Sequence, residues 1–404
     1  MNRPQHSPGL HLFALLTAAA TFCLIWIGGL TTSHGAGMAV PDWPTSYGYN
    51  MFALPWAQWQ IGGIFYEHTH RLFASEVGLL TIVLALWLFG KKARPVARWL
   101  GVALLLAGAA GWNRPNGIQS AIHIGVHGVA LLAASFYWPR CDESPKWLRR
   151  LGVIAVIAVV IQGVLGGLRV TQMKDVLGVF HGTLAQLFLV LICAIALFTS
   201  RWWKERGAEL QLPVYARGAF RYSFVLVTGM ILLQLGIGAT MRHQHAGLAI
   251  SDFPLAHGQW WPATDAESVA RYNQSRSEVN ALNPITVFQI KAQMIHRLMA
   301  VAILGAVGWV AVAARRRAPG TVVSRGALAW LGLIVAQAAL GVFTVLTNKA
   351  ADVATAHVAL GAASLVTGGL LSILLLNGAR NAAAVPGRAE IARPATPGHE
   401  QVLA

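Results

Sequence analysis

Glu67-His68-Thr69-His70-Arg71 gathers a carboxylate, imidazoles and a guanidinium just before a long apolar run that begins at Leu72. A close relative of it, Gln293-Met294-Ile295-His296-Arg297, opens another apolar run much later. If residues 67–70 are helical, the three-residue spacing puts Glu67 on the same face as His70. Neutral imidazole is a good donor to iron or copper. A carboxylate beside a metal-bound group could accept or relay protons, or polarise bound oxygen. The bland alternative is a first-turn acid favoured by the helix dipole. Gln293 stands in the place of Glu67 and cannot titrate, so a catalytic half is expected to be the first.

Two further histidines, His181 and His357, each lie early in a later apolar helix, downstream of Gln162-Gly-Val-Leu-Gly166 and Gln337-Ala-Ala-Leu-Gly341 respectively. The expected helix directions put His70 and His181 at one depth, and likewise His296 and His357. Two imidazoles on facing bundle helices are a usual way to clamp a haem axially. One such histidine alone reads as an interfacial residue; four at equivalent places read as ligands. Arg71 and Arg297 each follow the first histidine of a pair. Their forks match a propionate carboxylate, and the competing role is an interfacial anchor.

Other candidates are weaker. His123 and His127 share a helical face and could bind metal, but packing is the favoured role. His34, His243, His245 and His257 fall in loops that could cover a cofactor. Asp42 and Asp252, each followed by an aromatic residue and proline, read as turn-stapling residues, and Trp43 and Phe253 as covers for apolar groups. There is no P-loop, no GxSxG and no zinc-type cysteine cluster.

The elements that must position these residues follow from composition. Of 404 residues, 55% are hydrophobic and only 11% charged, which points to a polytopic membrane protein. Apolar runs cover 10–30, 72–90, 98–112, 118–138, 150–168, 177–199, 219–240, 296–314, 326–346 and 354–376. Most reach the roughly 20 residues a spanning helix needs, whereas 98–112 is short and suggests a tilted or half-spanning segment. With ten helices and a cytoplasmic N-terminus, Lys and Arg cluster in the cytoplasmic segments, among them Lys91, Lys92, Arg94, Arg140, Arg149, Arg201 and Arg315 to Arg317. That bias assigns the net charge of +16 to membrane orientation and leaves no case for nucleic-acid binding. Eight helices, with 98–138 not spanning, would preserve the orientation. Cys23, Cys141 and Cys193 offer no CxxC and no evident disulfide. The run Leu10 to Leu30 is long for a signal peptide and reads as the first transmembrane helix.

The chain also repeats. Gly35 to Gly48 aligns without gaps with His245 to Gly258, matching Ala36/Ala246, Gly37/Gly247, Ala39/Ala249, Asp42/Asp252, Pro44/Pro254 and Gly48/Gly258. The expected fold is all-α: two parallel four-helix-bundle repeats with a pseudo-twofold axis along the membrane normal, plus an inserted apolar pair at 98–138 in the first half. This divides the chain into an N-terminal repeat at 1–200, a cytoplasmic linker at 201–217, a C-terminal repeat at 218–377 and a disordered tail at 378–404. The polar stretch Asp265 to Asn283 reads as a surface excursion without a core of its own.

Taken in this order, and twice over, these motifs resemble the haem A synthase family, from Gly28 to about Leu376 apart from the insertion. The resemblance implies oxidation of a ring methyl of haem O to a formyl group, giving haem A, by successive oxygen-dependent hydroxylations. It further implies that His70 and His181 bracket the substrate haem, that Glu67 assists the chemistry, and that His296 and His357 ligate a haem b. Expected partners are a haem O synthase as supplier, a separate electron donor, the cytochrome oxidase assembly machinery and the lipid bilayer, with room for a homo-oligomer. The setting is a bacterial-type cytoplasmic membrane with both termini cytoplasmic. Two departures stand out: the first outer loop lacks the cysteine pair of many bacterial relatives, and the insertion adds helices to the family's eight. The reading from another class is a diheme electron-transfer protein, served by a quinol or a cytochrome, that leaves its cofactors unaltered. A transporter finds no broken-helix midplane site.

Overall fold

The computed structural model describes residues 7–112, 117–136, 143–206, 218–275 and 284–383. Among these, nine helices are long and apolar enough to cross a membrane, so the chain is an all-helical integral membrane protein. The first half contributes α1 (Pro8–Ser33), a short α2 (Trp56–Trp59), α3 (Gly62–Leu88), α4 (Ala93–Gly111), α5 (Gly117–Phe136), α6 (Lys146–Gln172), α7 (Asp175–Thr199) and a short α8 (Arg201–Arg206). The second contributes α9 (Ala219–His243), α10 (Ala266–Gln274), α11 (Val287–Arg317), α12 (Val322–Leu346) and α13 (Ala351–Ala383).

Helix is the form in which a lipid-embedded segment satisfies its own backbone. Thr17, Thr21, Thr31 and Thr81 return their hydroxyls to carbonyls four residues back, so these polar groups leave nothing unpaired. Starts are marked by side-chain caps: Ser7 ahead of Pro8, Thr321, and a capping box in which Thr286 and Gln289 each bond the other's backbone N–H.

Helices α1, α3, α6 and α7 pack around one core that includes Leu10, Val77, Leu84, Leu148 and Ile192. Helices α9, α11, α12 and α13 pack around another, centred on Phe224, Val307, Trp330 and Leu375. The two groups meet through α1 on α13, α7 on α9 and α7 on α13. The hairpin α4–α5 stands to one side, packed mainly on itself. Gly101 and Gly128 let its helices touch, since a Cβ on either would lie about 3 Å or less from the other backbone.

Several expectations meet differences. The run beginning at 98 extends back into α4 and, with the preceding turn from Gly90, is long enough to span, whereas the shorter apolar helix is Ala121–Phe136. Helix α13 continues through 378–383, because an Ala-rich stretch can prolong a helix after its hydrophobicity has lapsed. The rest of the expected tail, most of the 201–217 linker, Arg140 and Cys141 lie outside the described residues.

The segment after α9 does have a small core. Tyr272 on α10 and neighbouring Val269 pack with Ala249, Ile250, Ile290 and Met294, and Asn273 clips both backbone groups of Ile285. Two apolar residues three apart on a nine-residue helix are too few to show as a periodic signal.

Candidate functional site

The two loops between α1 and α3 and between α9 and α11 are built alike. Asp42 accepts from Tyr47 N, Gly48 N and Thr45 Oγ1 at 2.6, 2.9 and 2.5 Å, beside the two-residue strands Thr45–Ser46 and Tyr49–Asn50. Asp252 accepts from His257 N and Gly258 N at 2.8 and 2.9 Å. Partial burial pushes both carboxyls up, but these hydrogen bonds outweigh it and hold each below the ordinary value of 3.8. Tyr47 Oη and His257 Nε2, on residues that themselves take the left-handed backbone conformation, reach the carbonyls of Ala39 and Ala249. The two aspartates and His257 are therefore turn builders.

Each loop is tied to the next helix at matched positions, and the ties at Val40 and Ile250 differ. In the first half Glu67 Oε2 accepts from Val40 N at 2.9 Å and Glu67 Oε1 pairs with Arg71 Nη2 at 2.8 Å. Arg71 also donates to the carbonyls of Val40, Asp42 and Thr45. In the second half one neutral side chain suffices: Gln293 Oε1 accepts from Ile250 N at 2.8 Å and its Nε2 donates to Ile250 O at 2.9 Å. Arg297 donates to Asp252 O and Leu255 O. Glu67 is 3% exposed and Arg71 9%, so this is a buried ion pair whose hydrogen-bonding capacity is largely taken up. Four of the five N–H donors of Arg71 are spent on the loop and Glu67. His68 points elsewhere, buried against Trp59 and 3.3 Å from Ser46 Oγ.

His70 lies about two turns into α3 rather than at its start. Its ring faces that of His181 on α7, with centres 6.4 Å apart. His296 on α11 and His357 on α13 face one another at the same 6.4 Å. An imidazole nitrogen stands about 2 Å from a metal it ligates, with its ring centre roughly another ångström behind, so rings on opposite sides of one metal have centres about 6 Å apart. Each pair could therefore hold one iron between its two rings. The Nδ1 atoms of His70, His181 and His296 are buried without a hydrogen-bond partner, and His357 Nδ1 lies 3.1 Å from Gln337 O.

Beneath every ring lies a glycine of a neighbouring helix. A Cβ on Gly28 would come within 2.9 Å of His70, on Gly166 within 3.3 Å of His181, on Gly238 within 3.3 Å of His296 and on Gly341 within 3.1 Å of His357. Gly166 and Gly341 are the closing glycines of the two Gln-x-x-Leu-Gly motifs; Gly28 and Gly238 had no such signal.

One further charged residue stands at the first site, without a counterpart in the repeat. Arg169 on α6 reaches over Gly37, its Nη1 3.3 Å from Gly37 O and its Nε buried without a partner. An arginine inside an apolar span is itself a signal. On the alignment of Gln162 with Gln337, the second half has Thr344 there. At the junction of the halves Arg242 donates to Gly29 O and Ser33 Oγ of α1, and His243 fits against Gly178 of α7. Trp43 packs onto Gly167 of α6, whereas Phe253 is largely exposed beside Arg297. His34 is exposed and stacks on Tyr66.

A family model described as "Cytochrome oxidase assembly protein" matches residues 121–368. A heme A synthase of Shouchella clausii is 24% identical over 346 residues, spanning 85% of this chain and 88% of that protein. One from Rhodopseudomonas palustris strain HaA2 is 26% identical over 370 residues, covering 89% and 88%. Another, from Methylobacterium sp. strain 4-46, is 27% identical over 355 residues, covering 85% of each.

Proposed function

The chain belongs to the haem A synthase family of cytochrome oxidase assembly proteins, and from that premise we propose that it oxidises a ring methyl of haem O to a formyl group, yielding haem A. The route is successive oxygen-dependent hydroxylations, with electrons from a separate donor. His70 and His181 bracket the substrate in the first half. His296 and His357 hold a resident haem b in the second, which when bound supplies one-electron transfer.

The observation that carries this reading is the difference between two otherwise matched sites. The loop tie that Gln293 makes with a neutral amide is made in the first half by a buried ion pair. Burying two charges contributes little net stability, so a charged tie where a neutral one suffices points to chemistry. Glu67, three residues before His70 on α3, supplies the carboxylate that general acid or base chemistry would use. The partly unspent guanidinium of Arg169 suits a substrate carboxylate such as a propionate. Arg71 and Arg297 act through the loops they hold and position the rim of each site.

In this reading the two helical groups are parallel repeats about an axis along the membrane normal, at 1–200 and 218–377, with both termini cytoplasmic in a bacterial-type membrane. Haem O comes from a haem O synthase, and the product passes to cytochrome oxidase assembly. Co-expression with a haem O source should yield haem A in extracted pigments. Haem O left untouched with reductant and oxygen present would end the enzymatic reading. The equal 6.4 Å spacing of both histidine pairs is the observation that favours the alternative, a diheme electron carrier, because two alike pairs would each hold a haem that supplies only one-electron transfer.

A further inference from the structure

Glu76 on α3 and His123 and His127 on α5 lie outside both histidine pairs. All three are peculiar to the first half. On the alignment of His70 with His296 the second half has Ala302 in place of Glu76, and it has no counterpart of α5. Ionisable residues in apolar helices are costly unless they are compensated. Here they converge: one donor atom from each lies within 4.8 Å of the others.

The details match a ligand set better than a packing contact. His127 Nε2 is 3.6 Å from Glu76 Oε1, while its Nδ1 is 2.9 Å from the carbonyl oxygen of His123. With Nδ1–H donated to that carbonyl, the Nε2 lone pair is aimed at Glu76, as in histidines that ligate metals. The His123 ring is stacked on Phe52 at 3.9 Å, and its Nε2 is buried with no hydrogen-bond partner. An unpaired buried nitrogen is unfavourable, and a metal is one thing that would satisfy it.

We infer that Glu76, His123 and His127 bind one divalent transition-metal ion of the zinc or copper class, at a site separate from the haem-holding pairs. Two imidazoles and one carboxylate suit such an ion and not magnesium or calcium, which take oxygen ligands. Donors around a tetrahedral zinc stand roughly 3.4 Å apart, so the 3.6 Å contact is nearly in place and the half-exposed Glu76 side chain can close the rest. Three protein ligands leave a fourth position for water. The ion would also pin the α4–α5 hairpin to α3, which it otherwise touches little.

The test uses the tag-free full chain in detergent, stripped with chelator and titrated with zinc, with bound metal counted by elemental mass analysis. Wild-type protein should retain one more zinc per chain than the His123→Ala/His127→Ala double variant. The near-isosteric Glu76→Gln should weaken zinc binding about tenfold or more. Haem absorption from the His296/His357 site, unchanged in both variants, confirms that they are folded. Copper(II) in the wild type should give an electron paramagnetic resonance spectrum with nitrogen coupling that the double variant loses. Equal zinc retention and affinity in all three proteins would overturn the inference, as would a copper spectrum without nitrogen coupling.

Discussion

The two halves solve one positioning problem with different chemistry. Each must hold a loop against the helix that carries the first histidine of its pair. The second does it with Gln293, which both donates to and accepts from Ile250. The first divides the same task, Glu67 taking Val40 N and Arg71 taking Val40 O. The same backbone contacts are thus made by a neutral side chain in one half and by an ion pair in the other. Around it, the histidine spacing, the glycine under each ring and the aspartate-stapled turns are shared. The comparison separates scaffold, which is common, from the charged groups Glu67, Arg71 and Arg169, whose surroundings differ between the halves.

Perturbing either half should expose that division. The largest effect belongs to the second half: His296→Ala removes one of the two proposed ligands and should abolish the absorption of the proposed haem b, read in the spectrum of the purified protein. A retained spectrum would place the cofactor elsewhere. Next, Glu67→Gln copies the second half's residue into the first. It should keep the Val40 N–H bond and the bound haem while conversion of haem O falls about 100-fold or more, the scale of a lost general acid or base. Full activity in this variant would reduce Glu67 to a loop tie.

A third substitution grades the cradles. Gly28→Ala brings a Cβ to 2.9 Å from His70, closer than the 3.3 Å that Gly238→Ala gives at His296. Gly28→Ala should slow conversion roughly 10- to 100-fold by displacing the ring, whereas Gly238→Ala should only broaden or shift the haem b bands. Equal tolerance at both glycines would contradict close packing under His70.

The smallest effects should be the same in both halves. Asp42→Asn and Asp252→Asn each weaken charge-assisted turn bonds at partly exposed sites, costing about 1 kcal/mol after screening, measurable as faster proteolysis of the respective loop. Because both folded carboxyls lie below 3.8, their contribution is present above the unfolded value and is lost as pH falls through the folded one. Loop protection should therefore hold through neutral pH and decline only below about pH 4.

Much of this could be read from the chain because lipid imposes strong rules. Spanning helices follow from apolar length, and His70, His181, His296 and His357 drew attention as polar residues at matched places. What could not be read depends on the backbone or on distant partners. Arg71 reads equally as a propionate partner or an interfacial anchor, since nothing in a sequence announces that carbonyls of Val40, Asp42 and Thr45 will converge on a guanidinium. Gly28 and Gly238 were hidden among the many glycines of membrane helices. Glu76 and His123 are separated by an entire helix, so only the packing of α5 near α3 brings them together. Arg169 was readable in principle, as a charge within an apolar helix.

The central claim is that one site transforms its haem while its twin keeps its own. Mass analysis of pigments from the purified protein, after aerobic turnover with haem O and a reductant, tests it directly. Haem A should appear in place of haem O, alongside haem b of unchanged mass. Haem O persisting unaltered beside haem b would contradict it and leave an electron carrier with two equivalent clamps.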